Sequence, residues 1–149
     1  MSVDTIKQAI RDVPDFPIPG ILFKDVMPVL GDPQKFRDMM DLFIARYKGQ
    51  GIAKIAAVES RGFLIASALA YEIGAGLVPI RKKGKLPYKT IEESYSLEYG
   101  TATLAMHVDA VKAGEKVLLI DDLLATGGTA LASAHMIEKL GGKLVEIAF

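Results

Sequence analysis

Apolar positions along the chain fall into two patterns, short unbroken runs and stripes at helical spacing, and their alternation sets the expected architecture. Ile6, Ile10 and Val13 recur at helical spacing behind Asp4, a capping residue, and Pro14 stops them, so a short amphipathic arm is expected first. Phe16 to Gly31 holds Pro17, Pro19, Gly20, Pro28 and Gly31, too many breakers for a regular element, and reads as an ordered loop. Asp32-Pro33 opens a helix with proline in its first turn; Phe36, Met40, Phe43, Ile44 and Tyr47 mark its buried stripe, and Gly49 and Gly51 end it. Ile52 to Val58 reads as the first core strand, Glu59 to Gly62 as the turn at its carboxyl end, and Phe63 to Ile73 as a helix closed by Gly74. Gly76 to Ile80 is a second strand, and Tyr95 to Tyr99 with Thr101 to Met106 form a two-stranded excursion joined at Gly100. Lys116 to Ile120, a helix from Ala130 to Leu140, and a last strand from Lys143 to Phe149 complete the series. Strands alternating with helices at this spacing predict an α/β fold, a mainly parallel sheet with flanking helices on both faces.

The stretch from Val117 to Thr129 carries the most chemistry. Val117, Leu118, Leu119 and Ile120 run without polar alternation into Asp121 and Asp122, the signature of a buried parallel strand that ends at two carboxylates. Ligands of open α/β sheets bind at that edge. Ala125, Thr126, Gly127, Gly128 and Thr129 then supply small residues and hydroxyls before a helix, so free backbone N–H groups and the positive end of the helix dipole face one spot, suited to a phosphate. Two carboxylates a short loop away would repel a phosphate but accept hydrogen bonds from vicinal hydroxyls, such as a ribose offers. The stretch thus describes a ribose 5-phosphate. A nucleoside triphosphatase also ends a strand in acids, yet its Gly-x-x-x-x-Gly-Lys-[Ser/Thr] loop does not occur here.

Composition narrows the setting. At 149 residues the chain reads as one domain, large enough to bury about 68–70% of its unfolded surface. It has no cysteine, hence no disulfide or thiolate metal site, and its two histidines, His107 and His135, are far apart in sequence. The longest largely apolar stretch, Phe63 to Tyr71, falls short of the roughly 20 residues of a membrane span, and the first eleven residues lack an apolar signal region. A cytoplasmic protein is expected. Eighteen basic residues balance eighteen acidic ones, which gives no general attraction to nucleic acid or membrane. Locally the balance fails: Arg81, Lys82, Lys83, Lys85 and Lys89 form a cationic loop without an acid.

Asp121-Asp122-Leu-Leu-Ala-Thr-Gly-Gly-Thr129 resembles the phosphoribosyl pyrophosphate motif of the type I phosphoribosyltransferases. Phe16-Pro-Ile-Pro-Gly-Ile-Leu-Phe-Lys-Asp25, Glu59-Ser-Arg-Gly62, Arg81 to Pro87 and Ser94-Tyr-Ser-Leu-Glu-Tyr-Gly100 are similar to its adenine branch. The resemblance implies one phosphoribosyltransferase domain over residues 1–149. A small N-terminal hood, an arm and base-binding loop, takes residues 1–31, and a core with a flexible hairpin loop takes 32–149. Members of that branch are expected to continue a few tens of residues beyond Phe149.

The implied reaction takes adenine and 5-phosphoribosyl 1-pyrophosphate to AMP and pyrophosphate, a purine-salvage step. Asp121 and Asp122 would take the ribose hydroxyls, and Ala125 to Thr129 the 5-phosphate. Ser60, Arg61 and Gly62 would hold the pyrophosphate, with a non-proline cis peptide expected at Glu59-Ser60, and Arg61 would act in catalysis. Arg81, Lys82 and Lys85 would add positive charge, Arg81 and Lys85 foremost, across a homodimer interface as the family suggests, whereas Lys83 and Lys89 read as solvated. Phe23 is the stacking platform for the purine, with the backbone at Leu22 and Lys24 reading the adenine edge. Glu98 is the acid or base on the purine imidazole, with Tyr99 beside it, and residues 89–100 would close over the site. Mg²⁺ is the implied cofactor, met by Asp121 and Asp122 through water if at all. Two alternatives stay open: a 6-oxopurine transferase, and a non-catalytic phosphoribosyl pyrophosphate sensor that regulates transcription.

Overall fold

The computed structural model describes residues 2–97 and 99–149. Their contacts divide the chain into two compact units, one ending at Arg46 and the other running from Tyr47 to Phe149.

In the first unit helix α1 spans Val3–Ala9. Its cap is Ser2, whose hydroxyl accepts from the Thr5 N–H, and Asp4 lies inside the first turn instead of capping it. The helix also stops earlier than Pro14, because Ile10 leaves helical geometry and Arg11–Val13 forms strand β1. β1 pairs antiparallel with β2, Phe23–Asp25, so the expected loop from Phe16 to Gly31 holds a strand and also a short helix α2, Met27–Leu30. Breakers hid both, since each is only three or four residues long. Helix α3, Pro33–Tyr47, starts as expected: Asp32 accepts from the N–H groups of Gln34 and Lys35. Met40 and Tyr47 of its expected stripe are buried, as is Met39.

The second unit is built on β3 (Lys54–Val58), α4 (Arg61–Ile73), β4 (Gly76–Lys82), β5 (Thr90–Leu97), β6 (Gly100–His107), β7 (Lys116–Ile120), α5 (Gly128–Lys139) and β8 (Lys143–Ala148). Among the described residues its sheet has the order β5-β6-β4-β3-β7-β8. β4, β3, β7 and β8 run parallel, and β6 and β5 extend the sheet antiparallel. The parallel part is what the apolar runs foretold; Ile55 to Val58 and Val117 to Ile120 are buried on both faces. The hairpin is longer than expected, since Thr90 to Leu97 pairs with Gly100 to His107 throughout.

Strand alternation separates two cores. Ala56, Val58, Val78, Ile80, Val117 and Leu119 pack with Ala132, Met136 and Ile137 of α5. The alternate residues Ile55, Ala57, Leu118 and Ile120 point to the other face, where α4 buries Ile65, Ala66 and Leu69. Each fully buried Ile or Leu of these layers contributes on the order of 1.5–3 kcal/mol. The parallel strands β3 and β7 are neighbours in register, which brings the residues after Val58 and after Ile120 to the same sheet edge.

Candidate active site

Residues from four elements converge on the carboxyl edge of that sheet. Asp121 follows β7, and its N–H donates to Ala148 O at 3.1 Å. Its Oδ1 in turn accepts from the Asp122 N–H at 2.8 Å, so the two acids share one tight bend. Asp122 is nearly buried, with 5% of its side chain exposed, and accepts from Nε of Arg61. Arg61 can reach it because α4 begins against the end of β7. A methyl group on Gly62 would lie 3.3 Å from Ile120 O and 3.4 Å from Asp121 Oδ1, so the helix start already rests closely on the end of β7. The Glu59–Ser60 peptide leading into this turn is cis, as expected from the motif.

Electrostatics distinguishes the two acids. Burial first, and then the hydrogen bonding and charge of the adjacent Asp122, push the Asp121 carboxyl up to about 7. The Asp122 N–H and the more distant Arg61 charge offset this only in part. Arg61 Nε is paired with Asp122, and at Asp121 the arginine's charge is outweighed by burial and the neighbouring carboxylate.

Beyond the acids the chain passes Leu124, Ala125 and Thr126, all exposed, and turns at Gly127, φ 88°, into α5. No side chain caps this start, so the first-turn N–H groups stay available to a ligand. Asp121, Leu123, Ala125, Thr126, Gly127 and Thr129 line a recess of about 60 Å³. Next to it Glu59, Arg61, Tyr95, Asp121, Asp122 and Thr129 line a cleft of about 240 Å³ that opens to solvent. The structure therefore brings together Arg61, both aspartates and the Ala125–Thr129 loop. Ser60 and Gly62 flank Arg61, one exposed and one buried.

The cationic residues are organised by Glu59. Its Oε1 accepts from the Lys82 N–H at 2.5 Å, and its Oε2 lies 3.4 Å from Arg81 Nη2 and 3.8 Å from Lys85 Nζ. Burial opposes the charged carboxylate there, but the Lys82 N–H and the Arg81 and Lys85 charges outweigh it and hold the carboxyl below its usual range. Lys83 pairs with Glu92 at 3.1 Å, away from this cluster. The sequence reading gave Glu59 no role of its own. The available signal was an acid directly after a buried strand in a chain whose next strand ends in a run of cations.

Leu22, Phe23 and Lys24 belong to the first unit. Phe23 meets the Phe16 ring edge-on at 5.2 Å, Lys24 pairs with Asp12, and Leu22 is exposed. Tyr99 is almost fully exposed in the hairpin turn, and Glu98 lies outside the described residues. Tyr95 was also missed: its ring covers Gly128, and its hydroxyl accepts from Thr129 Oγ1 at 3.2 Å.

The chain matches the family model of the phosphoribosyl transferase domain over residues 31–149. It is 52% identical over 145 residues to an adenine phosphoribosyltransferase of Bordetella avium, covering 97% of this chain and 80% of that protein. The counterpart from Anaeromyxobacter is 55% identical over 148 residues, 99% of this chain and 84% of that protein. Among solved structures, adenine phosphoribosyltransferase from Rhodothermus marinus superimposes with a TM-score of 0.92 at 53% identity, over 98% of this chain and 83% of that one. The Saccharomyces cerevisiae enzyme, crystallised with adenine and an imino-altritol bisphosphate, gives 0.92 at 35% identity over 98% and 88%. With a double-acid strand end and an uncapped helix start in one cleft, and likeness over nearly its whole length, the chain belongs to the type I phosphoribosyltransferase family, in the adenine phosphoribosyltransferase branch.

Proposed function

We infer that the chain transfers a 5-phosphoribosyl group from 5-phosphoribosyl 1-pyrophosphate to adenine, releasing pyrophosphate and giving AMP. The observation that carries this reading is the convergence of Arg61, Asp121, Asp122 and Thr129 on one cleft, in a chain more than half identical to adenine phosphoribosyltransferases over its length. The 5-phosphate sits at the start of α5 on the N–H groups of Thr126 to Thr129, and the ribose hydroxyls donate to Asp121 and Asp122. Pyrophosphate leaves the anomeric carbon toward Ser60, Arg61 and Gly62, while N9 of adenine attacks the opposite face. The protein contributes placement and preorganised charge, and forms no covalent intermediate.

Phe23 stacks on the purine, and the backbone around Leu22 and Lys24 selects the 6-amino group, since a site built to accept its hydrogen bond leaves a 6-oxo purine unpaired. Glu98 exchanges the imidazole proton of adenine, with Tyr99 beside it. Both assignments rest on the motif resemblance.

The fit to Mg²⁺ is read from the donor set. Among the described residues no three His, Asp or Glu side chains cluster. This suits an ion that keeps its waters and binds mainly substrate oxygens, with Asp121 and Asp122 as outer partners. Asp121, where burial and the neighbouring carboxylate outweigh the arginine's charge, is the carboxyl such an ion would favour. When bound, Mg²⁺ supplies neutralisation of the charge that develops on the departing pyrophosphate.

We assign the active form to a homodimer in which Arg81 and Lys85 serve the partner's leaving group. Exposed Leu64 and Tyr71 on the outer face of α4 support an association surface. The setting is cytoplasmic, because a substrate with this much charge is used where it is made. Pyrophosphate release with adenine, hypoxanthine and guanine in turn, with and without Mg²⁺, tests the proposal. Turnover with adenine and Mg²⁺ alone is expected; preference for hypoxanthine or guanine, or no turnover with any base, would overturn it.

A further inference from the structure

Strand β5 presents Ile91, Glu93 and Tyr95 on one face by the two-residue alternation of strands, and all three lie over α5 or the core it covers. Glu93 accepts from Lys139 Nζ at 2.6 Å and lies 3.4 Å from His135 Nδ1, which fastens the strand to the carboxyl half of the helix. Tyr95 fastens it to the other end. A methyl group on Gly128 would lie 2.7 Å from Tyr95 Cδ2, so the ring rests directly on the first turn, and Thr129 Oγ1 donates to the phenol oxygen at 3.2 Å.

We propose that Tyr95 is a positioning residue for the sugar-phosphate site, acting through Thr129 and the first turn of α5; this rests on the function assigned above. A threonine hydroxyl has one proton to give and two lone pairs to receive with. Without ligand, Thr129 gives its proton to Tyr95. A phosphate can only accept, so on binding Thr129 turns its proton to the phosphate and the Tyr95 hydroxyl donates back to Thr129. The contact survives with its polarity reversed and grows stronger, because a hydroxyl that gives its proton to an anion accepts better from its other partner. Phenylalanine at position 95 retains the ring over Gly128 but can neither accept nor return the proton. The same strand leads into the hairpin turn, so the phosphate end of the site and the base-side hairpin are joined through one side chain.

The decisive measurement is 5-phosphoribosyl 1-pyrophosphate affinity by calorimetry for wild type, Y95F, T129A and the double variant, with steady-state kinetics alongside. Y95F is expected to weaken binding roughly two- to tenfold, the range of one hydrogen bond. KM for this substrate should rise in step, while KM for adenine and kcat stay within about twofold. Because the effect passes through Thr129, Y95F in the T129A background should add no further loss. Equal losses in both backgrounds, no loss at all, or a loss shared by adenine KM and kcat would overturn the proposal. So would a lowered Tm with unchanged affinity. Wild type that binds the sugar but makes no AMP would sink the proposed function and leave this test readable; wild type that fails to bind it sinks both.

Discussion

The two aspartates are chemically alike in sequence and unlike in the structure, and the difference is testable. Asp121 has a folded-state pKa of about 7, above its ordinary value, first because it is buried and then because of Asp122. Between its unfolded and folded values the folded chain binds more protons than the unfolded one, so stability falls as pH rises from about 4 to 7 and is level above. Asp121→Asn retains an oxygen for the Asp122 N–H and removes the titration. It is expected to abolish that slope in pH-dependent thermal melts and, with the partly exposed site discounted for solvent screening, to raise Tm at pH 8 by about 2–4 °C. It should also weaken sugar-phosphate binding, since an amide oxygen replaces a carboxylate as hydroxyl acceptor. An unchanged pH profile would remove the reason for setting Asp121 apart as the acid whose carboxyl burial pushes up. Sequence made both acids visible through the apolar run before them. It did not reveal which would be neutralised, because Arg61 lies sixty-one positions from Asp122 and meets it only through the β3–β7 pairing.

At the scale of elements, what was legible depended on whether an element's own residues satisfy its surroundings. β3, β7, α4 and α5 carry apolar patterns sufficient to announce them. β1 and β2 do not, being three residues each among prolines and glycines. β5 was only half seen, because Glu93 sits on its inward face where alternation calls for an apolar residue. That acid is matched by Lys139 and His135 on α5, a pairing no local pattern contains. Those partners hold the Glu93 carboxyl below its ordinary value: the Lys139 hydrogen bond first, against desolvation, then that of His135. Glu93→Gln is therefore expected to speed amide exchange across Thr90–Leu97 several-fold while β3 and β7 exchange as before, with Tm shifted little, as befits an exposed ion pair. Gly128→Ala belongs to the same contact. The added methyl must displace the Tyr95 ring, and a cost of about 1–3 kcal/mol is expected in denaturant unfolding, larger than any helix-propensity gain.

For the whole molecule, a formal net charge of zero hides a segregation that matters for assembly. Arg81 and Lys85 at the end of β4 share one acid, Glu59, and Asp121 and Asp122 at the end of β7 lie beside one cation, Arg61, so the first cluster keeps an excess of positive charge and the second does not. Sequence displayed both clusters. Whether Arg81 serves its own cleft or a neighbour's is a property of the assembly, which one chain's pattern does not encode. A mixing experiment separates the two arrangements. One chain carries Arg81→Ala and the other Asp121→Asn with Asp122→Asn, and each alone should be nearly inactive. If Arg81 acts across a two-fold interface, a mixed pair has one site built from intact acids of the first chain and the intact arginine of the second. Random exchange makes half of all pairs mixed, so about a quarter of the wild-type sites return. If Arg81 acts within its own chain, every site lacks something and mixing restores nothing. Replacing Leu64 and Tyr71 by Glu should then halve the mass in light scattering from twice 16.1 kDa and abolish the regained activity together, since α4 buries its opposite face in either state. Regained activity that persists in a single-chain particle would show that exchange between subunits is not its source.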